Sequence, residues 1–180
     1  MFPLDGFSPS PYAIPLAVGG TLMLLLGVFA AIRERWSSVG VSFLALTVAI
    51  SAWFLGHALA SSMESAEDTL WWIRSGAQIG ATFIPAAVLS FALLVTGRWR
   101  RLWPLAAGSI AISLGFYLVS AMTDWFIAST HEYAWGRHPA FGWAGTLFVP
   151  YFFLLIGASL RLLWVERRTA PFRVRRSRAT

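Results

Sequence analysis

The chain has 180 residues, of which 57% are hydrophobic, 16% aromatic and only 12% charged, and this composition excludes an ordinary soluble domain. Its formal net charge of +6 comes from 14 arginines without a lysine, and the absence of cysteine excludes disulfides, thiolate metal sites and cysteine nucleophiles. The arginines flank apolar runs, where anionic lipid is the nearest partner, so nucleic-acid binding is excluded as well.

Five apolar runs follow one another along the chain, each near or above the ~20 residues that an α-helix needs to cross a bilayer. They cover residues 12–32, 39–61, 71–97, 102–122 and 143–165. The pattern predicts an all-α integral membrane bundle of five transmembrane helices, with a terminal segment at 1–11, a membrane domain at 12–165 and a basic tail at 166–180. The first run has no basic segment before it, so it is expected to remain as a span rather than be cleaved as a signal peptide.

The arginines are distributed unequally between the connections. Twelve of them lie in the first and third connections and towards the C-terminus, while acidic residues dominate the N-terminal segment and the other two connections. Because arginine concentrates on the cytoplasmic side of membrane proteins, the N-terminus is predicted outside and the C-terminus inside. The exceptions are Arg137, in the fourth connection, and Arg74, which lies inside the third run.

Polar residues near the outer ends of the runs suggest a binding site. His57 lies about four residues before the end of the second run and Arg74 about three after the start of the third, so both lie ~5 Å below the interface. Such residues normally face the bundle interior or a watered cavity. The predicted ligand-binding residues are His57, Trp71, Arg74, Gln78, Asp124 and Trp125.

The predicted pocket leads to a specific expectation about the position of Arg74, and one alternative to the pocket remains open. In the pocket, Arg74 points between helices and reaches Asp124, Glu67, Asp68 or a carbonyl of the aromatic fourth connection. In the alternative, Arg74 snorkels to Glu67 or Asp68, and His57 only hydrogen-bonds a backbone carbonyl.

Two prolines lie inside predicted spans, Pro85 near the middle of the third and Pro150 in the first third of the fifth. Each removes one backbone hydrogen bond and is expected to act as a hinge. The fourth connection, from about 123 to 142, is so aromatic that it is expected to lie on the membrane surface or to fold over the mouth of the bundle.

The sequence carries no catalytic signature, and no catalytic residue is predicted. It has no intramembrane carboxylate pair, no His-Glu-x-x-His, no Gly-x-Ser-x-Gly and no phosphate-binding glycine loop. Haem ligation normally needs two facing intramembrane histidines, and only His57 lies in a span. His131 and His138 beside Glu132 form a weak external metal site at best, so neither metal nor cofactor is predicted.

Several stretches of the chain follow the order and spacing of a known family. Three of them are Ser51-Ala-Trp-Phe-Leu-Gly-His-Ala-Leu, Leu70-Trp-Trp-Ile-Arg and Ile84-Pro-Ala-Ala-Val-Leu-Ser-Phe-Ala-Leu-Leu-Val-Thr-Gly97. They resemble the N-terminal seven-transmembrane-type sensor region found ahead of bacterial histidine kinases and diguanylate cyclases, in which a tyrosine stands at the position of His57. Met122-Thr-Asp-Trp-Phe is similar to the end of the family's fourth helix, with Asp124 in place of asparagine, and Pro150-Tyr-Phe-Phe-Leu-Leu-Ile-Gly is similar to its fifth.

The resemblance covers the five predicted spans and implies a sensor without catalysis of its own. The family continues with two further helices and a cytosolic output domain. This chain ends in the basic segment after the fifth span, and it has no phosphoacceptor histidine box, ATP-binding glycine box or Gly-Gly-Asp-Glu-Phe signature. The resemblance therefore implies either a truncated or split relative or an output supplied by a partner.

The predicted function is a membrane sensor that detects a small molecule or membrane signal at its outer side. Its expected partners are the lipid bilayer, a small-molecule ligand, a cytoplasmic or membrane signalling protein and a second copy in a homodimer. The alternative is a small membrane transporter or permease subunit, which needs a polar path to the inner side. Because the inner halves of the runs are almost entirely apolar, the sequence favours the sensor. A membrane enzyme or haem protein is the remaining rival.

Overall fold

A computed structural model of the chain describes residues 7–133 and 136–176, with side chains described up to 168. The helices are α1 (Ala13–Arg33), α2 (Ser38–Ala60), α3 (Ala66–Trp71), α4 (Gln78–Val95), α5 (Trp99–Met122) and α6 (Trp143–Arg176), with a π-helical segment at Trp72–Ala77. Two strands, β1 (Ile127–Tyr133) and β2 (Gly136–Phe141), lie between α5 and α6.

The described part of the chain is mostly helical and contains five helices that are long and apolar enough to cross a membrane. The predicted helical membrane bundle is therefore confirmed at this level. The third of these helices is built from α3, the π-helical segment and α4, which follow one another without interruption from Ala66 to Val95. The fifth, α6, continues to Arg176, well beyond the predicted boundary at 165. Residues 1–6 of the predicted terminal segment and 177–180 of the predicted tail lie outside the described residues.

The helix ends follow from local chemistry. The side chain of Ser37 caps α2 by accepting a hydrogen bond from the amide of Gly40 (3.1 Å), which satisfies one of the free N–H groups at the helix start. Gly97 ends α4 with φ at +66°, a conformation that costs glycine little. The following amide, of Arg98, donates back to the carbonyl oxygen of Leu93 (2.9 Å) and closes the last turn.

α4 lies at the centre of the bundle and packs against α2, α5 and α6, while α1 packs against α2. The backbones of α2 and the third span come very close together at Gly56. A Cβ atom added there would lie 2.5 Å from Cα of Ala77 and 2.8 Å from the carbonyl carbon of Gly76, closer than real Cβ atoms come. The two backbones can touch at this point only because Gly56 has no side chain.

The two ends of the bundle differ in composition. At the hairpin end, α2, α5 and the two strands meet the starts of α3 and α6. At the arginine end, the α1–α2 and α4–α5 connections lie with the later turns of α6, and these segments hold the clustered arginines.

The all-α prediction missed one element, an antiparallel β-hairpin formed by β1 and β2. His131 faces His138 across the hairpin, and Glu132 faces Arg137, with which it forms an ion pair of 3.5 Å. Phe126, just before β1, and Ile127, its first residue, are fully buried. The hairpin is therefore anchored in the bundle by its apolar base.

Candidate functional site

A cavity of about 220 Å³ lies under the hairpin, between α2, α4 and α6. It is lined by Trp53 and His57 of α2, Gln78, Ala81 and Ile84 of α4, His138, Pro139 and Phe141 of β2, and Phe148 and Phe152 of α6. α2 and α6 make little direct contact with each other, since both pack on α4. The space between them is what forms this hairpin cavity.

Gln78 is the most unusual residue of the hairpin cavity. Its side chain is buried, with only 4% of the residue exposed, and within the described part of the chain its Oε1 atom has no hydrogen-bond partner. An unsatisfied buried acceptor costs about 1–3 kcal/mol, so such a group in a folded protein calls for an explanation.

Two histidines approach the cavity from different elements. His57 comes from α2 and sets its ring edge-on to that of Trp53, with the centroids 5.9 Å apart. His138 comes from β2, and its Nδ1 lies 3.2 Å from the carbonyl oxygen of Pro139. The weak metal site considered for His131 and His138 consists of cross-strand neighbours, and the described residues hold no group of three or more His, Cys, Asp or Glu side chains placed to bind a metal ion.

Arg74 lies outside the hairpin cavity and holds the hairpin in place. Its Nε and Nη2 atoms donate to the carbonyl oxygen of Ile127 at 3.0 and 2.5 Å, and Nη2 also reaches the carbonyl oxygen of Ala128 at 3.4 Å. A carbonyl of the aromatic connection was one of the acceptors expected for this residue. The snorkelling alternative requires an ion pair between Arg74 and Glu67 or Asp68. In the described part of the chain Arg74 forms no such ion pair.

The position of Arg74 depends on the irregular backbone around it. The π-helical segment Trp72–Ala77 is wider than an α-helix, and such segments are frequently found at functional sites. The hydroxyl of Ser120, on α5, donates to the carbonyl oxygen of Arg74 (3.3 Å), and the hydroxyl of Tyr117 donates to that of Ser75 (3.3 Å). This segment was not predicted, because its residues have the composition of an ordinary apolar run.

The remaining predicted site residues lie at the surface of the hairpin end. Trp71 is 37% exposed and packs edge-on against Trp72, and Trp125 is half-exposed beside Trp143. Asp124 is exposed. Of the six predicted residues, the structure brings His57 and Gln78 together in the hairpin cavity, and it places Arg74, Trp71, Asp124 and Trp125 outside its lining.

Four large aromatic residues are among the cavity residues that the prediction missed: Trp53, Phe141, Phe148 and Phe152. Trp53 carried a usable signal, since it precedes His57 by four residues and therefore shares its face of α2. Phe148 and Phe152 carried none, because nothing in an apolar run distinguishes a phenylalanine that faces a cavity from one that faces lipid. Only the packing of α6 against α4 places them here.

Both predicted hinge residues lie at the depth of the hairpin cavity. Pro85 follows the cavity residue Ile84, and Pro150 lies between Phe148 and Phe152. Helices α4 and α6 continue through these prolines. Each proline leaves its helix one backbone hydrogen bond short beside the cavity wall.

α6 connects the hairpin cavity with the arginine end of the bundle. Near its middle, the hydroxyl of Tyr151 donates to the carbonyl oxygen of Ser109 in α5 (2.7 Å). Further along, Leu155 and Leu162 pack against a buried cluster that includes Leu89 and Leu93 of α4. Close to the arginine end, Glu166 lies 4.0 Å from Arg98 in the α4–α5 connection.

A second and larger space of about 800 Å³ lies towards the arginine end, between α2, α4 and α5. Its lining is apolar apart from a few serines, Ser42 and Ser90 among them, and it includes Ala87 of α4. This arginine-end groove contains none of the charged or strongly polar side chains that a hydrophilic path would need.

The family described as the N-terminal 7TM region of histidine kinase matches residues 15–180 of the chain. The match therefore includes the five membrane-crossing helices, the hairpin and the hairpin cavity. Neither a curated protein nor a solved structure matches the chain.

Proposed function

Since the chain belongs to the family of N-terminal 7TM regions of histidine kinases, we propose that it detects a small molecule at the hairpin end and transmits the signal to the arginine end through α6. The membership confirms the resemblance found in the sequence. The family is the membrane region of these kinases and not their catalytic part, so the module is sensory rather than enzymatic.

The proposed orientation places the arginine end in the cytoplasm of a bacterium and the hairpin end outside its inner membrane. It is supported by the twelve arginines at the first end and by the acidic residues Glu64, Glu67 and Asp68 near the second. In this orientation the hairpin cavity faces the outside, and the arginine end contacts the signalling protein in the cytoplasm.

The observation that carries the proposal is the course of α6. This single helix begins beside the hairpin, contributes Phe148 and Phe152 to the cavity, and continues to Arg176. Phe152 and the arginine end lie on the same uninterrupted stretch of α6 beyond Pro150, so a shift of the cavity wall at Phe152 moves the other end of the helix.

Signalling requires two arrangements of α6 with different affinities for the ligand, because a ligand that binds both equally shifts neither. The prolines at cavity depth, Pro85 and Pro150, are the proposed points of deformation. The contact between Glu166 and Arg98 is a long surface ion pair, which contributes only about 0–1 kcal/mol and therefore breaks readily when α6 moves.

The absence of cysteine makes a direct test simple, since two cysteines introduced at Arg100 and Arg167 are the only labelling sites. Both residues are exposed. Spin labels at these positions report the distance between the α4–α5 connection and the end of α6 in lipid nanodiscs. The additional substitution Ala81→Leu fills part of the hairpin cavity and is expected to shift this distance distribution.

The matched control is Ala87→Leu, which adds the same atoms to the same helix but in the arginine-end groove. It is expected to leave the distribution unchanged. If both variants give the wild-type distribution, α6 does not couple the cavity to the arginine end and the proposed function is wrong.

The alternative of a small transporter or permease subunit gains no support from the described residues. Such a protein needs a polar path from the cavity to the arginine end, whereas the space there is lined almost entirely by apolar side chains. Leu89 and Leu93, between α4 and α6, are fully buried in an apolar cluster.

A further inference from the structure

We infer that the hairpin cavity binds a small, uncharged aromatic molecule that donates one hydrogen bond to the Oε1 atom of Gln78. This inference rests on the proposed sensory function and deepens it, because it names the class of ligand for that site. It is carried by two independent observations: the aromatic lining of the cavity and the unpartnered acceptor in its wall.

The lining determines the body of the ligand. Trp53 and three phenylalanines, Phe141, Phe148 and Phe152, come from three different elements and surround the same space. Aromatic rings pack favourably edge-on or offset against one another, so a flat ring is the shape that this wall favours. The cavity of about 220 Å³ is smaller than the ~300–1,000 Å³ of sites for drug-sized molecules, which limits the ligand to one or two rings.

The charge of the ligand follows from what the lining lacks. No Asp, Glu or Arg side chain lines the cavity. The guanidinium of Arg74 is engaged with the carbonyl oxygen of Ile127, and that of Arg137, next to His138, with Glu132 and the carbonyl oxygen of Glu64. An ionised ligand would lose its hydration without gaining a partner of opposite charge. The site therefore favours a neutral molecule.

The polar group of the ligand follows from Gln78. Its Oε1 atom can only accept, and in a buried environment it gains most from a partner that donates. The terminal torsion of a glutamine side chain is soft, so the amide can turn its oxygen towards a donor that arrives in the cavity. A ring N–H or a phenolic O–H is such a donor.

Indole and 1-methylindole are the probes that test the inference, because they share the same ring system and only indole has an N–H donor. Their binding is measured by ligand-observed NMR of the fluorinated analogues against the full chain in nanodiscs, with empty nanodiscs to subtract partition into lipid. Wild-type protein is expected to bind indole about three- to tenfold more tightly than 1-methylindole, as one buried hydrogen bond implies.

Gln78→Leu removes the acceptor and is expected to bring the two affinities to within about twofold of each other. Ala81→Leu occupies the cavity and is expected to abolish binding of both probes, while Ala87→Leu, outside the cavity, leaves both affinities unchanged. If Gln78→Leu does not fold, two results still test the inference. They are the ratio of the two probe affinities in the wild type and the difference in probe binding between Ala81→Leu and Ala87→Leu.

Equal affinities for the two probes in the wild type would overturn the inference, as would no binding at all or binding that survives Ala81→Leu. The same samples keep this result separate from the proposed function. If indole binds as expected and Ala81→Leu leaves the distance between labels at Arg100 and Arg167 unchanged, the binding site is supported and the signalling role is wrong. If Ala81→Leu shifts that distance and neither probe binds, the signalling role stands and this ligand class is wrong.

Discussion

Gly56→Ala is the substitution whose consequence follows most directly from the structure. The added methyl group would lie 2.5 Å from Cα of Ala77 and 2.8 Å from the carbonyl carbon of Gly76, both of which are backbone atoms of the π-helical segment. Ordinary contacts of a Cβ atom begin at 3.4 Å, so α2 and the third span must separate by about 1 Å at their crossing. No side chain can rotate away to relieve the overlap.

The expected cost is that of overpacking, about 1–3 kcal/mol of the free energy of unfolding. Alanine also forms helix better than glycine by about 0.5–1 kcal/mol, and this gain opposes the clash. Gly115→Ala serves as the control, because Gly115 is exposed on α5 and a Cβ atom there meets nothing within 4 Å. The two variants share the gain in helix propensity, so the difference between them isolates the clash.

The assay is reversible unfolding of the protein in bicelles, followed by the distance between two labels or by steric trapping. Gly56→Ala is expected to be less stable than Gly115→Ala by about 1–3 kcal/mol. If the two variants are equally stable, α2 and the third span do not pack backbone to backbone at Gly56, and the described arrangement of the hairpin cavity loses its support.

Three further predictions concern Arg74, the orientation and Pro85. Arg74→Lys retains the charge, but a lysine contacts the carbonyl oxygen of Ile127 with one nitrogen where the arginine uses two. Hydrogen exchange of the hairpin amides should therefore become about tenfold faster, while membrane insertion is unchanged. Unchanged exchange would mean that Arg74 does not hold the hairpin. A reporter that is active only in the cytoplasm should be active when fused after Arg178 and silent when fused at Ser65, and the reverse pair of results would refute the proposed orientation. Pro85→Ala restores a backbone hydrogen bond in α4, so it should keep the protein in the membrane and change the Arg100–Arg167 distance distribution; a wild-type distribution would remove the hinge.

The spans could be predicted from the sequence because the thickness of the bilayer fixes the length of an apolar run. The hairpin could not, since the sequence of the fourth connection contains no Asn-Gly or Asp-Gly pair, the usual signal of a tight hairpin. The π-helical segment could not be predicted either, because its own residues form an ordinary apolar run and the α5 hydroxyl groups that bond its carbonyl oxygens lie far away in the sequence.

The prediction of the site was limited by the difference between depth and direction. Residue counting placed His57 and Arg74 at the same depth, but only His57 lines the hairpin cavity. Trp71 and Trp125 were predicted in the same pocket, and both face the surface. Depth follows from the 1.5 Å rise per helical residue, whereas direction depends on how the helices pack, which one sequence alone does not give.

The most direct test of the central claim is the output of a kinase attached to α6. Residues 1–168 are joined to the dimerisation and catalytic domains of a histidine kinase in phase with α6, and autophosphorylation is measured in vesicles at equal protein amounts. If the hairpin cavity controls the arginine end through α6, Ala81→Leu changes the rate of autophosphorylation and Ala87→Leu leaves it at the wild-type value. Equal rates in the wild type and both variants would contradict the account.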